Sequence, residues 1–194
     1  MGLHIHSLDG LNENYERDYY IYLLDYGWEE PISEILRKNF DRMARMSSEH
    51  KKSVVIARTP DAIHFNDEVL SWHNINGEDA EKNELLPALM ITNRHPALFR
   101  KKHKGELEDD HNFKMIIIPF RKISNNTTEV VNVINKVFSD LKENRDLDDF
   151  QISKEMNKGF GKAVVDSFFL EPNFYGVGFS FKKMREYFGR KASR

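Results

Sequence analysis

The chain of 194 residues contains no cysteine. Disulfide bonds and dithiol exchange are therefore excluded, because the attacking group in such exchange is a thiolate. The absence also suits a reducing compartment, which makes the cytoplasm the expected location. An excess of one charge is missing as well: 29 Lys and Arg stand against 31 Asp and Glu, a formal net charge of −2. No global field draws such a chain to nucleic acid or to an anionic membrane. No apolar run approaches the ~20 residues of a membrane helix. Met1 to Asn14, which carries His4, His6 and Asp9, lacks the apolar centre of a signal peptide. No internal repeat, low-complexity tract or interdomain linker is visible. What is present, 40% hydrophobic and 31% charged residues, is the mixture of a globular protein. The length suits one domain with elaborations.

Familiar catalytic signatures are also missing. Gly159-Phe-Gly-Lys162 looks like part of a phosphate loop, but that pattern needs glycine at position 156 and a hydroxyl residue at 163. The chain has Met156 and Ala163 there. There is no Gly-x-Ser-x-Gly elbow, and Ser71 is merely near His73 in sequence. The basic run Arg100-Lys-Lys-His-Lys104 is followed at once by Glu106, Glu108, Asp109 and Asp110 and has no interleaved aromatics, which marks a solvated loop.

Periodicity organises the rest. Residues 1–17 are polar and read as an arm or an edge element. Tyr19-Tyr-Ile-Tyr-Leu-Leu-Asp25 is nearly continuous in hydrophobicity, as in a strand buried on both faces. Pro31 then suits the first turn of a helix, with Ile32, Ile35, Leu36, Phe40, Met43 and Ala44 on one side. Ser53 to Ala57 predicts a second buried strand, and Phe65, Val69 and Trp72 predict a short helix. Leu85 to Ile91 reads as a third strand and Lys114 to Pro119 as a fourth. Asn126 starts an amphipathic helix through Val130, Ile134, Val137 and Leu141. Beyond Arg145, Met156 to Phe168 suggests a helix and Tyr175 to Phe181 a strand.

Between the first strand and the first helix stands Trp28-Glu29-Glu30-Pro31-Ile32. A thioredoxin presents Trp-Cys-Gly-Pro-Cys at that point, so Trp28 and Pro31 match its tryptophan and proline while Glu29 and Ile32 replace its cysteines. Pro87 opens the third strand, where that family places a cis-proline beside its redox centre. Over residues 19–144, about two-thirds of the chain, the order of elements resembles the thioredoxin fold from its active-site strand onward. The resemblance implies an α/β fold: a thioredoxin-like three-layer core with a mixed sheet over 19–144. Residues 1–18 would precede it as an N-terminal arm. Residues 145–194 would follow as an α+β extension packed on the core.

The implied function is non-redox. Active family members bind extended peptide backbone along the proline edge, and a relative without cysteines keeps that groove for holding a protein. The expected contact residues are Trp28, Glu29, Glu30 and Pro87. Tyr175 and Phe179, in an aromatic, glycine-rich C-terminal region, form a second patch. The same residues also have a plainer use, in which Trp28 packs on the domain and Pro31 only begins a helix. The expected partner is another protein or a second copy, with no cofactor, no membrane and no nucleic acid. The Lys-, Asn- and Ile-rich composition suits a bacterial source, and an accessory role in a multi-component stress or phage-defence system is the corresponding expectation. The rival reading is a metal-dependent hydrolase built on His64, Asp67, Glu68 and His73, in which His64 and Glu68 lie one helical turn apart. No recognised ligand spacing supports that cluster, and a polar helix face accounts for the same residues.

Overall fold

A strand with two apolar faces needs a covering layer on each side, and the chain supplies both. The computed structural model describes residues 1–12, 14–25, 31–50, 52–73, 75, 85–99, 113–123, 126–157 and 169–170. Its strands are β1 (Gly2–Ile5), β2 (Tyr19–Leu24), β3 (Ser53–Arg58), β4 (Ala88–Thr92), β5 (Met115–Pro119) and β6 (Phe169–Leu170). They form one mixed sheet in the order β1-β3-β2-β4-β5-β6. β3 runs parallel to both β1 and β2, whereas β4 is antiparallel to β2 and β5, and β6 is antiparallel to β5.

Side chains alternate across this sheet. Ile21 and Leu23 of β2 enter one core with Val55, Leu89, Ile91, Ile116 and Ile118. Helices α1 (Pro31–Lys38), α2 (Phe40–His50), α5 (Thr127–Lys142) and α6 (Gln151–Asn157) close that side through Leu36, Met43, Ile134, Val137 and Ile152. Tyr20, Tyr22 and Leu24 enter a second core with Val54, Ile56, Met90 and Ile117. Here the cover is α3 (Phe65–Trp72), with Phe65, Val69 and Leu70, joined by Leu8 and Leu11. The result is a three-layer α/β arrangement. The continuous hydrophobicity of β2 follows from it, because neither face meets water. Among the described residues no helix is long and apolar enough to cross a membrane.

Several local features differ from the sequence reading or refine it. Residues 2–5, read as arm or edge element, form the edge strand β1, with Gly2 opposite Val55 and Ile5 opposite Arg58. The 3-10 turn Leu8–Gly10 then sinks Leu8 into the second core. The helix expected from Pro31 onward is two helices, α1 and α2, separated at Asn39. The Asn39 Nδ2 donates to the Ile35 carbonyl at 2.9 Å, adding a second donor where the Asn39 backbone N–H already bonds. At the start of α5, the Asn126 Oδ1 accepts the Thr128 N–H at 2.8 Å, which makes it the N-cap. A short helix, α4 (Phe120–Ile123), follows β5 directly. The peptide between Leu86 and Pro87 is cis.

At Gly2 the edge strand lies close against α2. A Cβ built there would lie 2.5 Å from the Ala44 Cβ and 2.9 Å from the Phe40 ring. Gly2→Ala should lower the unfolding free energy by about 1–3 kcal/mol through overpacking, read as a lower urea midpoint at unchanged slope. Combining it with Ala44→Gly should cost less than the two single losses added, since the clash is shared.

Candidate functional site

At the carboxyl ends of β2 and β3 the sheet opens into a cavity of about 490 Å³. Ligands of open α/β sheets favour this end of parallel strands. Leu23 and Ala57, paired across β2 and β3, give the cavity apolar lining, and Phe40 adds a ring at the start of α2. The polar groups are His4, Asp25, Arg37 and Arg58, with Asp41 and Pro60 beside them.

Asp25 is the centre of this group. It directly follows β2 and is only 3% exposed. Three elements hold it. The Arg58 Nε, at the end of β3, donates to Oδ1 at 3.2 Å. Asn66 of α3 donates its side-chain amide to the Asp25 carbonyl. Arg37 of α1 brings Nη1 to 3.9 Å from Oδ2, an ion-pair distance too long for a hydrogen bond. Oδ2 consequently has no hydrogen-bond partner although it is buried. Arg58 is fixed in turn: its Nη1 donates to the Pro60 carbonyl at 3.2 Å, and its own carbonyl lies 3.2 Å from the His4 Nδ1. The His4 ring packs on Phe40 with centroids 4.1 Å apart.

Pro87 belongs to the same end of the sheet. The β2–β4 register pairs Leu24 with Ala88, so the residues just beyond, Asp25 and Pro87, follow together. Pro87 is buried, and its carbonyl accepts the Phe120 N–H at 3.0 Å. With no N–H of its own and one bond already accepted, Pro87 has the second lone pair of its carbonyl as its remaining backbone group. Trp28, Glu29 and Glu30, together with Tyr175 and Phe179, lie outside the described residues.

The four residues of the rival reading do not converge. His64 and Asp67 are exposed, with Nδ1 and Oδ2 3.9 Å apart. Glu68 turns away from them: its Oε1 accepts the Ser7 hydroxyl at 2.7 Å and its Oε2 the Leu8 N–H at 2.9 Å. His73 is 2% exposed, and its Nδ1 lies 2.7 Å from the Val69 carbonyl. Its ring sits edge-on to Tyr22 at 5.5 Å and against Phe99 at 4.1 Å. Among the described residues no three His, Asp or Glu side chains are grouped to hold a metal ion. The helical spacing is real, but α3 spends Glu68 on the N-terminal turn and His73 on the core.

Sequence reasoning passed over Asp25, Arg37 and Arg58. The available signal was slight: Asp25 ends a hydrophobic run and Arg58 ends another. Their pairing spans 33 positions and depends on the fold. The sequence matches no family model, no curated protein and no solved structure.

His73 leads to a pH prediction. Burial pushes its pKa down from 6.5 to about 4, against a smaller upward pull from its bond to the Val69 carbonyl. The folded protein thus disfavours the protonated ring, and the unfolded chain takes up the proton first as pH falls. This contribution is complete above pH 6.5 and is lost on acidification towards about 4, amounting to about 3 kcal/mol. His73→Leu should therefore lose less stability than the wild type over that interval, measured by urea unfolding at stepped pH. Parallel profiles would contradict the neutral, buried imidazole.

Proposed function

We propose that this chain is a non-redox, thioredoxin-like binding module that holds another protein at the end of the sheet where β2 and β3 finish. The element order and the mixed sheet support the fold half of the reading. So does the position of Pro87 at the entry to β4, beside the residue that follows β2. With no cysteine in the chain, that end has binding groups in place of a dithiol.

One observation carries the functional half. The end of the sheet combines a buried charge with one exposed apolar side chain. Ile63, in the connection that leaves β3, is 73% exposed and is joined only by Met1 as an exposed large hydrophobic among the described residues. Next to that connection lie the half-exposed Arg37 and the incompletely bonded Asp25. An apolar anchor beside a charged pocket is the composition of a protein-recognition surface. Trp28, Glu29 and Glu30, which follow Asp25 in the sequence, are the accessory contacts of this proposal. An accessory component of a larger assembly is the role that fits such a module.

The test is affinity purification of the tagged full chain from its native cells, beside Ile63→Ser and Trp28→Ala. The expected result is a stoichiometric protein partner with the wild type and its loss with either variant. Ile63→Ser should change stability by no more than about 0.5 kcal/mol, as for other surface substitutions. A second copy as partner would appear as a concentration-dependent mass in light scattering and would be abolished by the same changes. A wild-type chain that captures nothing and stays monomeric would refute the reading, as would a partner retained by both variants.

A further inference from the structure

We propose that the cavity around Asp25, Arg37 and Arg58 binds a carboxylate that carries an N–H group on the adjoining carbon. This is the chemistry found at the carboxyl end of a peptide chain and in N-acylated amino acids. The proposal deepens the binding reading above and rests on it only for the source of the ligand.

Asp25 demands a donor. A carboxylate oxygen removed from water and left without a hydrogen bond is strongly disfavoured. Oδ2 is in that state, whereas Oδ1 is served by Arg58. Arg37, 3.9 Å off, does not supply the missing N–H, and Asp25 lines the cavity from which a donor can approach. Arg37, in turn, demands an acceptor. Its side chain is 42% exposed, and among the described residues its guanidinium has that one long ion pair and no hydrogen bond. An acceptor for Arg37 next to a donor for Asp25 is the complementary pattern.

Charge decides which acceptor. Asp25, Arg37 and Arg58 together sum to one positive charge, which a single anionic group balances. Asp41 also lines the cavity and, like Arg37, is exposed, so water and salt weaken its pull on that charge. His4 is engaged with the Arg58 carbonyl and the Phe40 ring. A fully ionised phosphate would set only acceptor oxygens against the unpartnered Asp25 oxygen, and its second charge would exceed what the cavity balances. A simple ammonium would answer Asp25 but face two guanidinium groups. A carboxylate with a neighbouring N–H answers both, and guanidinium recognition of carboxylates is strong and directional. The cavity, about 490 Å³, is the size of a small-ligand site, and Leu23 and Ala57 can receive an apolar side chain.

The test is a ¹H–¹⁵N NMR titration of the full chain at neutral pH with four probes: N-acetyl-leucine, its amide, 4-methylpentanoate, and a short peptide ending in a free leucine carboxylate. N-acetyl-leucine should produce saturable shifts at Asp25, Arg37 and Arg58. The amide lacks the charge and 4-methylpentanoate lacks the N–H, so each should bind about tenfold or more weakly. Arg37→Gln should weaken N-acetyl-leucine binding by a similar factor, about tenfold, while its spectrum remains that of a folded chain. A peptide that binds far more tightly than N-acetyl-leucine assigns the site to a protein chain end; equal affinities assign it to a small acid. The proposal is overturned if amide and acid bind alike, if Arg37→Gln binds as the wild type, or if no probe gives saturable shifts at millimolar concentration. A partner still captured by Arg37→Gln would rule out a protein chain end as the occupant and leave the binding module standing. Acid binding without any captured partner would do the reverse.

Discussion

Strand β2 sends side chains into two separate cores, and the rest of the molecule is arranged around the need to cover both. Ile21 and Leu23 require the layer built by α1, α2 and α5, while Tyr20, Tyr22 and Leu24 require α3 and the N-terminal turn. Burial on both faces stops at Leu24. The next residue, Asp25, is still nearly enclosed, so its carboxylate must be compensated by groups brought from other elements. Arg58 comes from β3, Asn66 from α3 and Arg37 from α1. The polar cluster is thus a product of the same double burial that makes the sheet, and it ties both helical layers to the point where β2 ends.

The parts of this architecture that sequence could reveal were those with local periodicity. The cores of β2, β3, β4 and β5 show as apolar runs because both of their faces are covered. α5 is legible through Val130, Ile134, Val137 and Leu141, and its start through Asn126. β1 was harder, because only Gly2 to Ile5 pair and His4 is exposed, so no apolar run announces it. The break at Asn39 was hidden because the apolar spacing continues across it from Leu36 to Phe40 and Met43. Two families of contact had no local signature at all. The Asp25–Arg58 pair and the Glu68 bonds to Ser7 and Leu8 join residues tens of positions apart.

His64, Asp67, Glu68 and His73 illustrate why spacing alone misleads. Helical periodicity places His64 and Glu68 one turn apart, yet it says nothing about what each side chain meets. Glu68 lies beside the turn at Ser7, whose hydroxyl and following N–H it satisfies together. His73 is the residue just past α3, where the second core closes around it between Tyr22 and Phe99. Packing therefore divides four residues of similar chemistry among solvent, a structural bridge and the core. Only the exposed pair, His64 and Asp67, retains the freedom that ligation or catalysis would need.

Asp25 presents the opposite case: an unremarkable residue made reactive to its surroundings by burial. Its carbonyl and one carboxylate oxygen are already committed, so a donor that reaches Oδ2 completes its bonding. A ligand that supplies this donor and also engages Arg37 would link α1 to the end of the sheet across the present 3.9 Å gap. Binding at that point favours the folded state by mass action, because the unfolded chain does not assemble the three groups. Recognition and stability are then coupled through one carboxylate. The cavity stays preorganised because Arg58 and Asn66, rather than the ligand, hold Asp25 in place.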